Sequence, residues 1–487
     1  MHGPMGESTY TKSVSNLVKY IHSNTPLKDS LFEQAQLYFE ASDEKNETNI
    51  KLQSDIESSE SSLQTADKKD KEKLLKKLNE SKQALKKDEA SQEEERKFRL
   101  NRVLEMCAKL LVLCEAENWE KTQVNSAKLL GTLQLLSPGE GAKLAQLNQK
   151  LKPAYKAVVA LRLLDKLLVD EQISNQYINE HYRENRRYPE QEGDETLFQR
   201  DVAIPVIITA VFQDVGLLHP KAQLKLKGKD GSLDEFRVLD KDDRLSLLKL
   251  NHAYTLDYIT NGLGMERYIG NSKAARTAFV HNEQKRLDFT RTLLASALKP
   301  KLGVGNLLKV PQIYASVIFS SKQSYNFMDL PKAGLLIIKA AKHAAISQVA
   351  ADTLLAIIGH FPQGYGITYI PKDDDNKNLD RYEYAIVTGL NPEDPFVPIC
   401  RVATRNLSFI PSGTMISVHR ESNLYFSATK KKLEKINPVR LKEILRELAS
   451  NFEERKDVEL IPSYWNPYSF FGYVKMQNLW KKDWVVI

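Results

Sequence analysis

The residues most capable of chemistry lie around one stretch, residues 202–220, VAIPVIITAVFQDVGLLHP. It reads as a helix that is apolar nearly all round and delivers Gln213-Asp214 at its C-terminal end, followed by Gly216. A carboxylate in that position needs a partner, because an unpaired buried charge is costly. Metal coordination is one solution and capping of the next helix is the other; residue type alone does not separate them. A second group is basic. Arg183, Arg186 and Arg187 cluster in HYRENRRYP, and Lys285-Arg286 follow His281-Asn282-Glu283. Guanidinium groups hold phosphates through paired hydrogen bonds. A phosphate-bearing ligand would suit them, although a solvated loop with interleaved Glu184 and Glu190 is the plainer account.

Other chemistries find no support. The chain contains no GxxxxGK[ST], GxSxG or HExxH pattern. Gly303-Val304-Gly305 is followed by Leu308 where a dinucleotide fingerprint needs glycine, and no strand precedes it, so it reads as a turn. Asp373-Asp374-Asp375-Asn376 imitates a calcium loop but lacks the internal Gly and closing Glu, and reads as a surface turn. Cys107, Cys114 and Cys400 cannot form a disulfide framework or a CxxC zinc site. The first two fall in a Leu-rich helical stretch and read as small buried hydrophobes. Seventy basic against 63 acidic side chains give a formal +7. That is mild, and no stretch interleaves basic and aromatic residues as a nucleic-acid groove does.

The elements that must position these groups are mostly helical. Residues 10–41 carry helical periodicity, with Val14, Leu17, Val18 and Ile21 on one face. Residues 43–97 shift to Lys, Glu, Ser, Asp and Gln. Their apolar positions, Leu52, Ile56 and Leu63, then Leu74, Leu78 and Leu85, predict a coiled-coil-like antiparallel hairpin turning near residues 65–70. A solvated charged linker is the alternative. Helical patterns resume at 100–117 and run to about 169, with a loop at Ser137-Pro138-Gly139 and Pro153 near a helix start. Residues 156–360 stay helical. After Phe361-Pro362 the pattern changes, and 382–390, 396–404 and 407–418 read as strands. One amphipathic helix at 438–455 and an aromatic tail from Tyr464 to Trp484 follow. The longest apolar run, 203–212, is about half a membrane span. The start has no apolar signal region, and His2-Gly3-Pro4 reads as a vector remnant.

Taken in order, these residues resemble the HD-GYP family of HD-superfamily metal-dependent phosphohydrolases. The family pattern runs approximately HDIGK, Pro, a lone His beginning a helix, HHE with a glycine-rich GYP loop, then an Asp on a late helix. Asp214-Val215-Gly216 stands where Asp-Ile-Gly falls, and Pro220 follows. His252 takes the place of the lone His, and His281-Asn282-Glu283 that of HHE. Phe361-Pro362-Gln363-Gly364 and the later Asn391-Pro392 resemble the family's exit into a small β-rich tail. The resemblance covers roughly residues 156–405.

What it implies is a decayed site. Such hydrolysis needs metal ions to activate water and offset phosphate charge, which in the family takes about six His and Asp ligands suited to iron or manganese. Here Gln213, Asn282 and Ser316 replace ligands, Leu217 replaces the phosphate-neutralising Lys, and residues 284–290 hold no GYP loop. Asp214, His252 and His281 survive as possible ligands for one metal, with Glu283 nearby as a base. The expected architecture is mainly α, in three parts. Residues 1–155 would form an all-helical domain with its hairpin at about 43–97. A degenerate helical HD-type core would occupy 156–360, and a smaller β-rich α+β domain 361–487. The expected function is a cytoplasmic signalling receptor or protein-interaction scaffold linked to cyclic dinucleotides, with no resident cofactor. Protein partners would dock on the N-terminal helices, self-association into a homodimer is compatible, cyclic di-GMP is the implied small ligand, and neither nucleic-acid polymer nor membrane is expected. The alternative is a cyclic di-GMP phosphodiesterase with a rearranged site, in which Asp214 and Glu283 are catalytic and one iron or manganese ion is held. In the receptor reading, Arg183, Arg186, Arg187, Lys285 and Arg286 would hold the ligand.

Overall fold

The computed structural model describes residues 6–141, 143–191, 194–301, 303–322, 325–373, 375, 377–436, 438–448 and 460–480, with backbone only at 43, 44, 68, 69 and 448. His2-Gly3-Pro4, Asp374, Asn376, Trp484 and the expected helix beyond Leu448 lie outside the described residues. The helices, in chain order, are α1 (Thr9–Ile21), α2 (Leu31–Thr65), α3 (Lys68–Cys114), α4 (Trp119–Leu135), α5 (Leu144–Val169), α6 (Gln176–His181), α7 (Ile204–Phe212) and α8 (Pro220–Lys227). They continue as α9 (Lys241–Asp257), α10 (Lys273–Ser296), α11 (Asn306–Ile318), α12 (Lys332–Lys342), α13 (Gln348–Ile358), α14 (Ser427–Glu434), α15 (Pro438–Leu448) and α16 (Tyr468–Phe471). The strands are β1 (Gly366–Tyr369), β2 (Glu383–Val387), β3 (Ile399–Val402), β4 (Thr404–Arg405), β5 (Ser408–Phe409) and β6 (Met415–Ser417). The protein is mainly α with a small C-terminal antiparallel sheet, as its sequence pattern leads one to expect.

The chain divides into two compact units, and each is built from separated segments. The first comprises Met1–Lys19, Cys107–Val211 and Thr292–Ile487; the second comprises Tyr20–Met106 and Phe212–Arg291. Both cut points of the sequence reading, 155/156 and 360/361, fall inside the first unit. The former falls in the middle of α5. Pro153 is likewise inside α5 rather than near its start, in a helix that begins nine residues earlier at Leu144.

In the first unit α5 is the central helix. Tyr155, Ala157, Val158, Ala160, Leu161, Leu163 and Leu164 are all fully buried, so it is covered on every face by α4, α11 and α13. That burial offsets the hydrogen bond Pro153 removes from the helix ladder. The four-stranded sheet runs β1-β2-β3-β6, antiparallel throughout. Every residue of β2 is buried, which identifies a strand covered on both faces. Trp465 stacks on Tyr384 with ring centroids 4.7 Å apart and donates its Nε1–H to the Ala385 carbonyl. The strand expected at 407–418 is broken at Pro411-Ser412-Gly413, leaving β5 and β6. β4 and β5 turn through Asn406 and Leu407, both at positive φ. The buried Glu383 carboxylate accepts from both of their amides and from Thr404 Oγ1, which holds that strained turn.

In the second unit α2 and α3 form the expected hairpin, broken at Ala66-Asp67. Its start is set by a capping box: Ser30 Oγ accepts from the Glu33 amide, and the Glu33 carboxylate accepts from the Ser30 amide. Of the expected seam, only Leu78 is fully buried; Leu52, Ile56, Leu63, Leu74 and Leu85 are half-buried. Ion pairs Lys45–Glu95 and Lys82–Glu60, both at 2.6 Å, bridge the two helices. One helical stretch, Gln199–Leu218, is long and apolar enough by composition to cross a membrane, and most of it is buried within the fold.

Candidate functional site

Asp214 lies just past the end of α7, where the chain makes a 3-10 turn over Val215–Leu218 before entering α8. The turn packs on α9. A Cβ on Gly216 would come 2.2 Å from the Asn251 carbonyl oxygen and 2.8 Å from the Thr255 amide nitrogen, so only glycine permits this approach. The contact is hydrogen-bonded as well as close. The Gly216 amide donates to Thr255 Oγ1 at 3.0 Å, and Asn251 Nδ2 donates to the Gln213 carbonyl at 3.1 Å. The side chain that caps α8 is His219, whose Nδ1 accepts from the Lys221 amide at 3.1 Å; Asp214 does not cap it. The Gln213 side chain is buried, and its Oε1 has no hydrogen-bond partner.

The remaining residues of the expected site are arranged differently from a ligand set. His252 lies well inside α9 rather than beginning it, half-buried, with burial holding its pKa below the ordinary histidine range. His281 is exposed on α10. Glu283 is buried and committed to a local cluster. Its Oε1 lies 2.7 Å from Arg286 Nη1, and its Oε2 accepts from the Glu266 amide at 3.0 Å. Among the described residues, no three His, Cys, Asp or Glu side chains gather as a metal site, so Asp214, His252 and His281 are not brought together as a donor triad. Ser316 is in the first unit, exposed, and bonds back to the Ile313 carbonyl.

The basic residues separate too. Arg183 and Arg186 are exposed in the first unit, Arg183 bonding to the Asn179 and Tyr182 carbonyls. Lys285 is exposed and Arg286 paired with Glu283 in the second unit. Arg187 is not a surface residue. It is 3% exposed, with Nε 2.7 Å from Asp165 Oδ1 and Nη2 2.5 Å from Glu115 Oε1. Arg162 Nη2 meets the same two carboxylates at 2.8 Å each, and Gln199 Nε2 donates to Glu115 Oε2. Burial alone would push the Glu115 carboxyl up, but Arg187 and Arg162 more than offset it and pull it down to about 2. Four buried charges thus close on one another, which removes Arg187 from any ligand.

Sequence reasoning missed a cavity of about 570 Å³ in the second unit. His219 and Tyr254 stack in its wall at 3.4 Å and 7°, and Tyr38 donates to Asp257 at 3.1 Å. Its cations Lys45, Arg96, Arg99 and Lys221 are matched by Glu89, Glu93, Glu95 and Asp257. Arg96 is held bidentately by Glu93 and donates to the Leu263 and Met265 carbonyls. The available signal for the ring pair was His219, directly before Pro220; the sequence reading assigned a place only to Pro220. Compared with known proteins, the chain matches no family model, no curated protein and no solved structure.

Proposed function

We propose that this chain is a non-hydrolytic, HD-GYP-like protein that works as an interaction scaffold in cyclic-dinucleotide signalling. One observation carries the reading. The turn at Gln213-Asp214, where a hydrolase of that family would assemble metal ligands, is closed on α9 by the neutral groups of Asn251 and Thr255 and by the bare Gly216 backbone. Glu283, the only buried acid of the HHE-like run, is paired with Arg286. Pairing with a guanidinium stabilises the ionised carboxylate, which weakens it as a general base.

Within this reading the scaffold role outweighs a nucleotide receptor role. Two phosphates need unpaired cations in one place, and Arg187 and Arg286 are both committed to carboxylates. The α2–α3 hairpin offers the larger surface, about 50 Å long for the thirty-five residues of α2. The test is turnover. Purified protein supplied with iron or manganese is expected to leave cyclic di-GMP intact, and Gln213→His alone is not expected to restore cleavage. Robust metal-dependent turnover by the wild-type chain overturns the reading and favours a phosphodiesterase using Asp214, His252 and His281.

A further inference from the structure

We propose that another cavity of the second unit, bounded by α3, residues 260–270 and α10, binds a small phosphate monoester with a flat apolar body. The cavity holds about 680 Å³, within the range of small-molecule sites. It adjoins the His219–Tyr254 cavity, with which it shares Glu93, Arg96 and Asn261.

Charge names the ligand class. The lining carries three guanidinium groups, Arg96, Arg267 and Arg276, against two carboxylates, Glu93 and Glu266. Both carboxylates are already engaged: Glu93 holds Arg96 at 2.6 Å, and Glu266 lies 3.6 Å from Arg286. The hydrogen bonds of Arg96 hold the Glu93 carboxyl below its usual range, with a smaller contribution from the charge of Arg267. Among the described residues, however, neither Arg267 nor Arg276 forms an ion pair or a side-chain hydrogen bond. Arg276 also stands in the first turn of α10 with Lys273 and no acid, so the positive end of the helix dipole adds to its charge. Two such guanidinium groups on one cavity favour an anion. They match the nearly doubly charged phosphate of a monoester at neutral pH, to which guanidinium groups donate paired hydrogen bonds. A phosphodiester carries only one charge per phosphorus.

The wall that presents Arg267 is fixed from two sides. Arg99 Nε donates to the Gly262 carbonyl at 2.9 Å, and Arg96 Nη1 donates to the Leu263 and Met265 carbonyls, both at 2.7 Å. A Cβ on Gly264, which has φ +63°, would come 2.7 Å from that same Nη1, so glycine admits the guanidinium to both carbonyls. On the α10 side, Glu283 Oε2 accepts from the Glu266 amide at 3.0 Å. A ligand bound here orders little backbone that is not already ordered, which preserves affinity.

The apolar body follows from the rest of the lining. Arg276, Val280 and Leu287 recur at helical spacing and share one face of α10. Val280 is 45% exposed, leaving apolar surface for a ligand to cover. The Tyr268 ring, also in the lining, packs against Phe279 with centroids 5.7 Å apart, and a held aromatic ring suits a flat one.

The experiment is calorimetric titration of the full-length protein near neutral pH with phenyl phosphate, methyl phenyl phosphate and inorganic phosphate. Saturable one-to-one binding of phenyl phosphate is expected, with the singly charged methyl ester and the bodiless inorganic ion each about tenfold weaker or more. Arg267→Gln and Arg276→Gln, both at exposed positions, should each weaken phenyl phosphate binding by about tenfold. Lys229→Gln removes an equal charge from an exposed position outside the cavity and should leave binding unchanged. Circular dichroism melts confirm folding, and Arg276→Lys, which keeps the charge but loses the paired donors, decides if a glutamine variant does not fold: it should weaken binding. No saturable binding of phenyl phosphate, equal binding of either comparison ion, or arginine variants that bind like Lys229→Gln overturns the proposal.

Discussion

Glu115 is the residue on which most of the first unit's buried polar structure converges. It is the acceptor for Arg162, Arg187 and Gln199, and its side chain is only 2% exposed. Replacing such a pair by well-packed apolar groups can be neutral, but removing one partner strands the others. Glu115→Ala is therefore expected to destabilise the protein by about 3–5 kcal/mol in urea unfolding. The pH dependence has a definite sign. The folded carboxyl sits at about 2, below its ordinary 4.5, so its contribution is complete above about 4.5 and is lost as pH falls toward 2. Glu115→Gln should be less stable at neutral pH and lose less stability across that window; an unchanged acid limb would contradict the assignment. None of this was legible in the sequence. Glu115 and Arg187 are 72 positions apart, and Arg187 sits in a polar, Arg- and Glu-rich segment that reads as a solvated loop.

At the scale of elements, the α2–α3 hairpin was legible because its few leucines fall at coiled-coil spacing while the rest of the segment is polar. The seam is thin: among the side chains described between residues 52 and 85, only Ser59, Leu78 and Ser81 are buried. Native-state hydrogen exchange should therefore show low protection for the hairpin's outer half, residues 52–85, and high protection in α5 and α11. Equal protection in the two would mean that another surface covers the hairpin in solution. The small sheet was harder to read. β4 and β5 are two residues each and depend on Glu383, a distant carboxylate, to hold Asn406 and Leu407 at positive φ. A periodicity of two cannot register over so short a strand. The Gly216 approach to α9 is the opposite case. The glycine was visible in the sequence, and the structure supplies a packing reason for it that needs no metal.

For the whole molecule, the sequence reading drew contiguous domains, whereas each unit takes in segments far apart along the chain. Helical periodicity reports which face of an element is buried, not which other element buries it, so interleaved units leave no local mark. The same limit explains the candidate site. Asp214, His252 and His281 were found by order and spacing, yet no donor triad forms from them among the described residues, because His281 is exposed on α10 and Glu283 answers to Arg286. The most direct measurement is elemental analysis of protein purified under reducing, anaerobic conditions. The account expects iron and manganese well below one ion per chain, unchanged in His281→Ala. Stoichiometric metal that is lost in His281→Ala would contradict it.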